Sequence, residues 1–167
     1  MAFREISVEE LKDNPFTLIN KDWMLITAGN REKHNTMTAS WGGVGELWGR
    51  YVFTIYIRPQ RYTLEFVERE DYYSLCFFGP DCRQALNLCG SKSGREIDKD
   101  AATGLTPCFD EAAPYYEQAR LVFLCRKLYR QDLEEGCFLD KGLLEKWYDN
   151  DLHRMFIGEI VKVLEKE

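Results

Sequence analysis

Tyr51-Val52-Phe53-Thr54-Ile55-Tyr56-Ile57 runs directly into Arg58-Pro59-Gln60-Arg61-Tyr62-Thr63. Every residue of the first run is β-branched or aromatic, the types that suit a pleated, half-buried surface, so it predicts a strand. Pro59 suits the first turn of a helix, where its missing N–H would have no partner anyway. A helix is therefore expected from Pro59 to about Glu70.

Upstream, Trp23–Ala28 has strand composition and Gly29-Asn30 is a turn signal. A second strand is expected over His34–Trp41, with Thr36, Thr38 and Ser40 on one face and Asn35, Met37, Ala39 and Trp41 on the other. Gly42, Gly43, Gly45 and Gly49 read as a loose connection, and Ile6–Lys12 as a short helix with Ser7 as N-cap and Glu10 completing a capping box. Downstream, Tyr72–Phe78 predicts a strand, Asp81 the cap of a helix reaching Leu88 or Cys89, and Gly90–Gly104 an ordered loop. Ala119–Arg130 alternates as a long strand, with Leu121, Phe123 and Cys125 opposing Val122 and Leu124. His153–Leu164 closes the chain as a strand with Phe156, Gly158, Ile160 and Lys162 on one side. Between these last two lies an excursion, Asp132–Asn150, with a short helix over Gly142–Tyr148. The sum is mainly β with helical crossovers, a β-rich barrel in one domain over residues 1–167.

Composition narrows the function. The 167 residues carry 22 Lys plus Arg against 28 Asp plus Glu, a net charge of −6, which argues against a nucleic-acid binder needing a basic face. Apolar residues at 45% and aromatics at 14% suffice for a packed core. No apolar run approaches the roughly 18 residues of a membrane span, and Met1–Leu11 lacks the apolar stretch of a signal peptide. A cytoplasmic protein with no membrane partner is expected. The six cysteines contain no C-x-x-C pair and have only His34 and His153 to assist, so no metal site is expected; in a reducing compartment they read as small buried hydrophobes.

Four stretches carry chemistry. The glycine-rich Trp41–Gly49 fails as a dinucleotide motif, because Trp48 sits where G-x-G-x-x-G from Gly43 needs glycine and a strand follows it. No P-loop occurs either. Arg58-Pro59-Gln60-Arg61-Tyr62-Thr63 places two guanidiniums and a hydroxyl at an expected helix start, a combination suited to phosphate; the alternative is that Arg61 pairs with Glu65 one turn on. Ser91-Lys92-Ser93-Gly94-Arg95 offers two hydroxyls, two cations and a glycine that admits close backbone approach, or is a solvated loop. Two cationic, hydroxyl-bearing loops in an acidic chain point to a phosphorylated small ligand. The strand Asn35–Trp41 gathers small and hydroxylated side chains, leaving room for a flat ligand on which Trp41 stacks, unless Trp41 is buried. His153, beside Asp149 and Asp151, suits acid–base or hydrogen-bonding duty, or a structural one. No activated nucleophile is evident.

Taken together, Asn35-Thr36-Met37-Thr38-Ala39-Ser40-Trp41-Gly42, Arg58-Pro59-Gln60-Arg61-Tyr62-Thr63, Cys89-Gly90-Ser91-Lys92-Ser93-Gly94-Arg95-Glu96-Ile97-Asp98-Lys99 and His153-Arg154-Met155-Phe156-Ile157-Gly158-Glu159-Ile160-Val161 resemble, in order, the flavin reductase-like family of flavoredoxin type. The resemblance spans about residues 23–164. It implies an FMN-binding split β-barrel that forms homodimers, with the flavin in a groove near the subunit interface. It implies that Asn35 and Met37–Trp41 line the isoalloxazine and ribityl chain, that Arg58, Arg61, Tyr62 and Thr63 sit near the phosphate, and that Ser91, Lys92, Ser93, Gly94, Arg95 and Lys99 close over it. His153 would approach the flavin from the last strand as the candidate catalytic residue.

Two departures from many relatives stand out: Arg154 follows His153 where a small hydroxyl residue is usual, and the 132–150 excursion is longer than a tight hairpin. The function implied is an oxidoreductase passing electrons from NADH or NADPH through bound FMN to a flavin, metal complex or redox-protein acceptor. The alternatives are an FMN-holding electron-transfer protein of flavoredoxin type without a nicotinamide site, and a flavin-free module acting through its dimer surface. The intact arginines and the Ser-Lys-Ser-Gly-Arg loop speak against the last.

Overall fold

The computed structural model describes residues 2–167. In chain order its elements are β1 (Phe3–Ile6), α1 (Pro15–Thr17), β2 (Met24–Gly29), β3 (His34–Ala39), β4 (Gly42–Leu47), β5 (Arg50–Ile57), α2 (Thr63–Arg69), β6 (Tyr72–Phe77), α3 (Arg83–Ser91), α4 (Lys99–Thr103), β7 (Pro107–Cys108), β8 (Tyr115–Tyr116), β9 (Leu121–Asp132), α5 (Gly142–Trp147) and β10 (Arg154–Lys166), with short 3-10 or π turns between some of them. Seven strands form an antiparallel sheet in the order β3-β2-β6-β9-β10-β5-β4, β1 pairs with the end of β10, and β7 pairs with β8. The chain is mainly β, with helices on the crossovers.

The central strands are buried on both faces. Met24, Ile26 and Ala28 of β2, Tyr73, Leu75 and Phe77 of β6, and Leu121, Phe123 and Cys125 of β9 share one apolar cluster with Phe53, Ile55 and Phe156. Their alternates Leu25, Cys76, Val122 and Leu124 pack instead against Leu86 and Cys89 of α3 and Tyr115 and Tyr116 of β8. Such two-sided burial is why these strands read as nearly continuous apolar runs. Cys76, Cys89 and Cys125 are buried as expected, but Cys82 and Cys108 are only half-buried and Cys137 is exposed.

Several elements differ from their sequence reading. The glycine-rich connection is a strand, β4, paired with β5 from Gly42↔Ile55 to Leu47↔Arg50; glycine's low strand propensity is overridden by the partner, and a Cβ at Gly42 would lie 2.9 Å from Thr54 O. The expected helix at Ile6–Lys12 is one 3-10 turn, Val8–Glu10, after strand β1, though the Ser7–Glu10 capping box is present. The helix after Pro59 starts only at Thr63; Arg58–Arg61 is a turn closed by Arg61 N–H to Arg58 O. Asp81 caps nothing: it lies in a 3-10 turn ahead of α3, which itself runs on to Ser91. Part of the Gly90–Gly104 loop is helical, because Asp98 accepts from Ala101 N–H and caps α4.

The last strand changes faces along its length. β10 pairs with β9 through two irregularities, at Ile157/Gly158 and Ile160/Lys162. The extra residue Val161 reverses the alternation, so Phe156, Ile160 and Val163 share the core cluster, while Lys162 points outward to Glu111 at 2.9 Å. Gly158 is required for packing: a Cβ there would meet Tyr73 Oη at 2.2 Å, where the hydroxyl donates to Phe53 O at 3.1 Å. Among the described residues no helix is long and apolar enough to cross a membrane.

Candidate functional site

Only Ser40 and Trp41 separate β3 from β4, yet these are the two outermost strands of the sheet. The dipeptide therefore crosses between two sheet edges, and a cleft opens beside it. A cavity of about 170 Å³ is lined by Met37, Thr38, Ala39, Ser40 and Trp41 with Tyr56, Arg58, Arg61 and His153. A larger one of about 650 Å³ shares Ser40, Trp41, Tyr56 and His153 and extends to Phe16, Leu133 and Tyr148. The structure thus gathers eight of the candidate residues in one place: Met37, Thr38, Ala39, Ser40, Trp41, Arg58, Arg61 and His153. Met37 is mainly a core residue, 5% exposed, and the Thr38 hydroxyl is turned to Leu86 O of α3. Trp41 is not buried; it is 39% exposed and meets Trp147 edge-on at 5.1 Å.

The two arginines of the turn differ. Arg58 is neutralised: it pairs with Asp151 at 2.6 Å, donates to Trp147 O at 2.9 Å, and lies over the Tyr148 ring. Arg61 has no carboxylate partner among the described residues; it donates only to Gly90 O at 3.0 Å. Burial first, then Arg58, pushes its pKa down. The pairing of Arg61 with Glu65 does not form, since Glu65 is taken by Arg95. Thr63 is buried and its hydroxyl accepts from Asn35 Nδ2 at 2.8 Å.

The second cationic loop joins the first. Arg95 donates to Gln60 O at 3.3 Å and stacks over Tyr62 at 4.5 Å. Ser93 Oγ accepts from Arg95 N–H at 3.2 Å, and Ser91 and Lys92 are exposed. Gly94 sits where a Cβ would fall 1.9 Å from Asn35 Oδ1, so this glycine lets the loop close onto β3. Lys99 is buried, donates to Thr36 O at 2.7 Å and Cys89 O at 2.9 Å, and is held down to about 8, mostly by burial. Asn35, Thr63, Gly94 and Lys99 therefore stand behind the small cavity rather than in it. Asn35, Tyr62, Gly94 and Lys99 border a separate polar cavity of about 270 Å³.

His153 is buried among aromatic rings, with Trp41 at 5.3 Å and Tyr148 at 5.4 Å. Its sequence neighbours Asp149 and Asp151 do not bind it; Asp151 serves Arg58 and Gln60. The partner of its Nδ1 is the Tyr148 hydroxyl at 2.8 Å. Burial, and next Arg58, lower its pKa to about 4, so the ring is neutral at neutral pH. Tyr56 and Phe16 were not singled out by the sequence: Tyr56 is one aromatic of a strand and Phe16 is distant in sequence, whereas Tyr148 ends the helix expected in the excursion, five residues before His153. Among the described residues no group of His, Cys, Asp and Glu is placed to hold a metal ion.

Residues 17–167 match the model of the flavin reductase like domain. The chain belongs to the flavin reductase-like family. It superposes on a flavoredoxin from Methanosarcina acetivorans with a TM-score of 0.68 at 21% identity, covering 96% of this chain and 77% of that one. An FMN-binding domain of a flavin reductases-like enzyme from Shewanella baltica OS155 gives 0.70 at 14%, covering 98% and 77%. A Streptomyces globisporus C-1027 NADH:FAD oxidoreductase in complex with NAD and FAD fragments gives 0.63 at 14%, covering 87% and 74%. At these identities the likeness is one of fold, the split barrel of the family. No curated protein matches the chain.

Proposed function

We propose that this family member is a cytoplasmic flavoprotein oxidoreductase that holds FMN in the cleft and passes electrons from NADH or NADPH to a flavin, metal complex or redox-protein acceptor. The observation that carries the reading is Arg61. A guanidinium taken partly out of water, beside a second cation and without a carboxylate, is costly unless an anion completes it, and a planar fork suits a phosphate monoester.

The residues present fit the cofactor. Arg61, with exposed Ser91 and Lys92 on the adjoining loop, would hold the phosphate; Thr38–Trp41 leave a narrow, small-residue wall for a flat ring. A bound flavin supplies the hydride and electron chemistry. The chain's own residues orient and exclude: Trp41, Trp147 and Tyr148 screen the cleft from water, and Arg58 ties the excursion to the cleft floor through Asp151 and Trp147 O. His153, neutral near pH 7, offers a hydrogen-bonding ring nitrogen without a charge.

A homodimer is part of the proposal. Val44, Leu47, Trp48, Tyr51 and Tyr129 are exposed, with Trp48 and Tyr129 rings 6.1 Å apart, an apolar surface that a second copy would cover. One observation favours the nicotinamide-free alternative: Arg154 is fully engaged by Asp132 and Glu68. The test is to denature the purified protein, identify any released chromophore by mass, and mix the holoprotein anaerobically with NADH and NADPH while following visible absorbance. A colourless protein that takes up no FMN overturns the proposal. Retained FMN that bleaches with dithionite but with neither nucleotide selects the electron-transfer alternative.

A further inference from the structure

We propose that Tyr148, from the 132–150 excursion, is a positioning residue that locks His153 in the tautomer with its proton on Nε2, making His153 a fixed hydrogen-bond donor to the molecule in the cleft. The inference deepens the flavoprotein reading and rests on it only for what His153 would face.

The argument is geometric. Tyr148 Oη and His153 Nδ1 are 2.8 Å apart, and a neutral imidazole has one acceptor nitrogen and one donor. Two arrangements satisfy this distance: the phenol donates to a bare Nδ1, or Nδ1–H donates to the phenol oxygen. The first is the stronger bond, because a phenol is a better donor than acceptor and an imidazole nitrogen a good acceptor. Arg58, whose guanidinium lies 5.0 Å over the Tyr148 ring, draws electron density from the phenol and sharpens its O–H as a donor. Tyr148 also has no other side-chain or backbone acceptor among the described residues, and burial keeps it protonated. Nε2 then carries the proton. Among the described residues it has no partner, yet none of their buried side-chain nitrogens is left unpartnered, so Nε2 opens to the cavities that His153 lines.

The groups facing His153 keep this state over a wide range. Arg58 disfavours its protonation and Asp151, already bound to Arg58, offsets that only in part; Tyr56 and Trp41 present apolar rings. His153 is then not a proton exchanger but a donor for an oxygen or unprotonated nitrogen of the bound molecule, and it owes that role to a segment outside the barrel.

The test is long-range ¹H–¹⁵N NMR on the histidine-labelled protein as purified. The chain has two histidines, and His34→Gln separates their signals. We expect a protonated Nε2 and a bare Nδ1 for His153, unchanged from about pH 5.5 to about pH 8. Tyr148→Phe is expected to give mixed tautomers, a raised His153 pKa and several-fold slower acceptor reduction, with FMN content unchanged. A protonated Nδ1 in the wild type, or a tautomer unmoved by Tyr148→Phe, overturns the proposal. Should the variant not fold, the wild-type spectrum still decides. Absence of FMN in the same samples would defeat the flavoprotein reading while leaving the tautomer result standing.

Discussion

Arg61 and Lys99 donate to adjacent carbonyls, Gly90 O and Cys89 O, at the last turn of α3. A helix C-terminus leaves its final carbonyls without intrahelical partners and carries a partial negative charge. The two cations cap that end, and this holds them near each other without any carboxylate between them. Their mutual repulsion contributes to the lowered pKa of Lys99. The fold thus concentrates uncompensated positive charge at one spot of an acidic protein.

Removing the cation that faces the cleft should therefore be felt by the phosphate and not by the ring. Arg61→Ala is expected to weaken FMN binding by about 1.5–3 kcal/mol, the worth of hydrogen bonds to a charged group, or roughly 10- to 150-fold. The same variant should bind riboflavin as the wild type does. Fluorescence titrations with both ligands check this, and equal losses for the two would place the phosphate elsewhere.

Lys99 gives a proton-linkage signature. Its pKa of about 8 in the folded protein lies below the ordinary 10.5, so the unfolded chain binds the extra proton between these values and this group favours folding more as pH rises from about 8 to about 10.5. A phosphate dianion arriving nearby restores the charged form. FMN binding at about pH 8.5 should then take up protons, seen as binding heats that differ between buffers of different ionisation enthalpy. Buffer-independent heats would mean that Lys99 senses no anion.

His153 has a consequence of the same sign on the acid side. Its folded pKa of about 4 lies below the usual 6.5, so the unfolded chain gains a proton first and stability is lost as pH falls from about 6.5 to about 4, by at most about 3 kcal/mol. In His153→Gln that part of the acid sensitivity should vanish. Urea unfolding at several pH values measures it; parallel pH profiles for the two proteins would contradict it.

Where the Tyr73 side chain of β6 reaches across β9 to β10, Gly158→Ala should destabilise by about 1–3 kcal/mol through overpacking against Tyr73 Oη. Adding Tyr73→Phe removes the struck atom and should recover part of the loss, but not all, since Tyr73 Cζ and Cys125 Cβ also lie within 3.0 Å of the added carbon. Additive losses in the double variant, measured by urea denaturation, would exclude this contact as the cause.

Replacing Glu134–Asp149 with a short Gly-Asn turn removes Trp147 and Tyr148 from the cleft but leaves Arg61 and α3 in place. FMN retention with altered acceptor rates or selectivity is expected. Steady-state rates unchanged across several acceptors would assign the segment to scaffolding alone.

The sequence made the strands legible where both faces are buried, as in β2, β6 and the first half of β9, and also in β5, because apolar continuity and β-branching leave few alternatives. It hid β4, whose glycines signal freedom while pairing with β5 restricts them, and it hid the bulge at Val161, since two successive apolar residues, Ile160 and Val161, read equally as a strand with apolar contacts on both faces. Of the site, the small-residue strand and both cationic loops were visible as chemistry. The division of labour within them was not. That Arg58 is spent on Asp151 while Arg61 stays free depends on Asp151 lying 93 residues away in the chain. The Tyr148–His153 contact is local, five residues apart, but no periodicity marks which side chain of the excursion turns toward the ring.

A sheet whose two outer strands are joined through Ser40 and Trp41 is a hoop with a gap, and the gap is where the cleft lies. The free margins of β3 and β4 have ladder groups on one side only, so they are the parts of the barrel that breathe most readily. A molecule lodged in the gap would touch the end of β3 and, through Gly42, the start of β4, and would act as a clasp. Its binding energy is then spread as slowed hydrogen exchange along β3 and β4, far beyond the atoms it contacts. Loss of the clasp should loosen the hoop from the same two rims, so that the chain reports occupancy of its site through the stiffness of its frame.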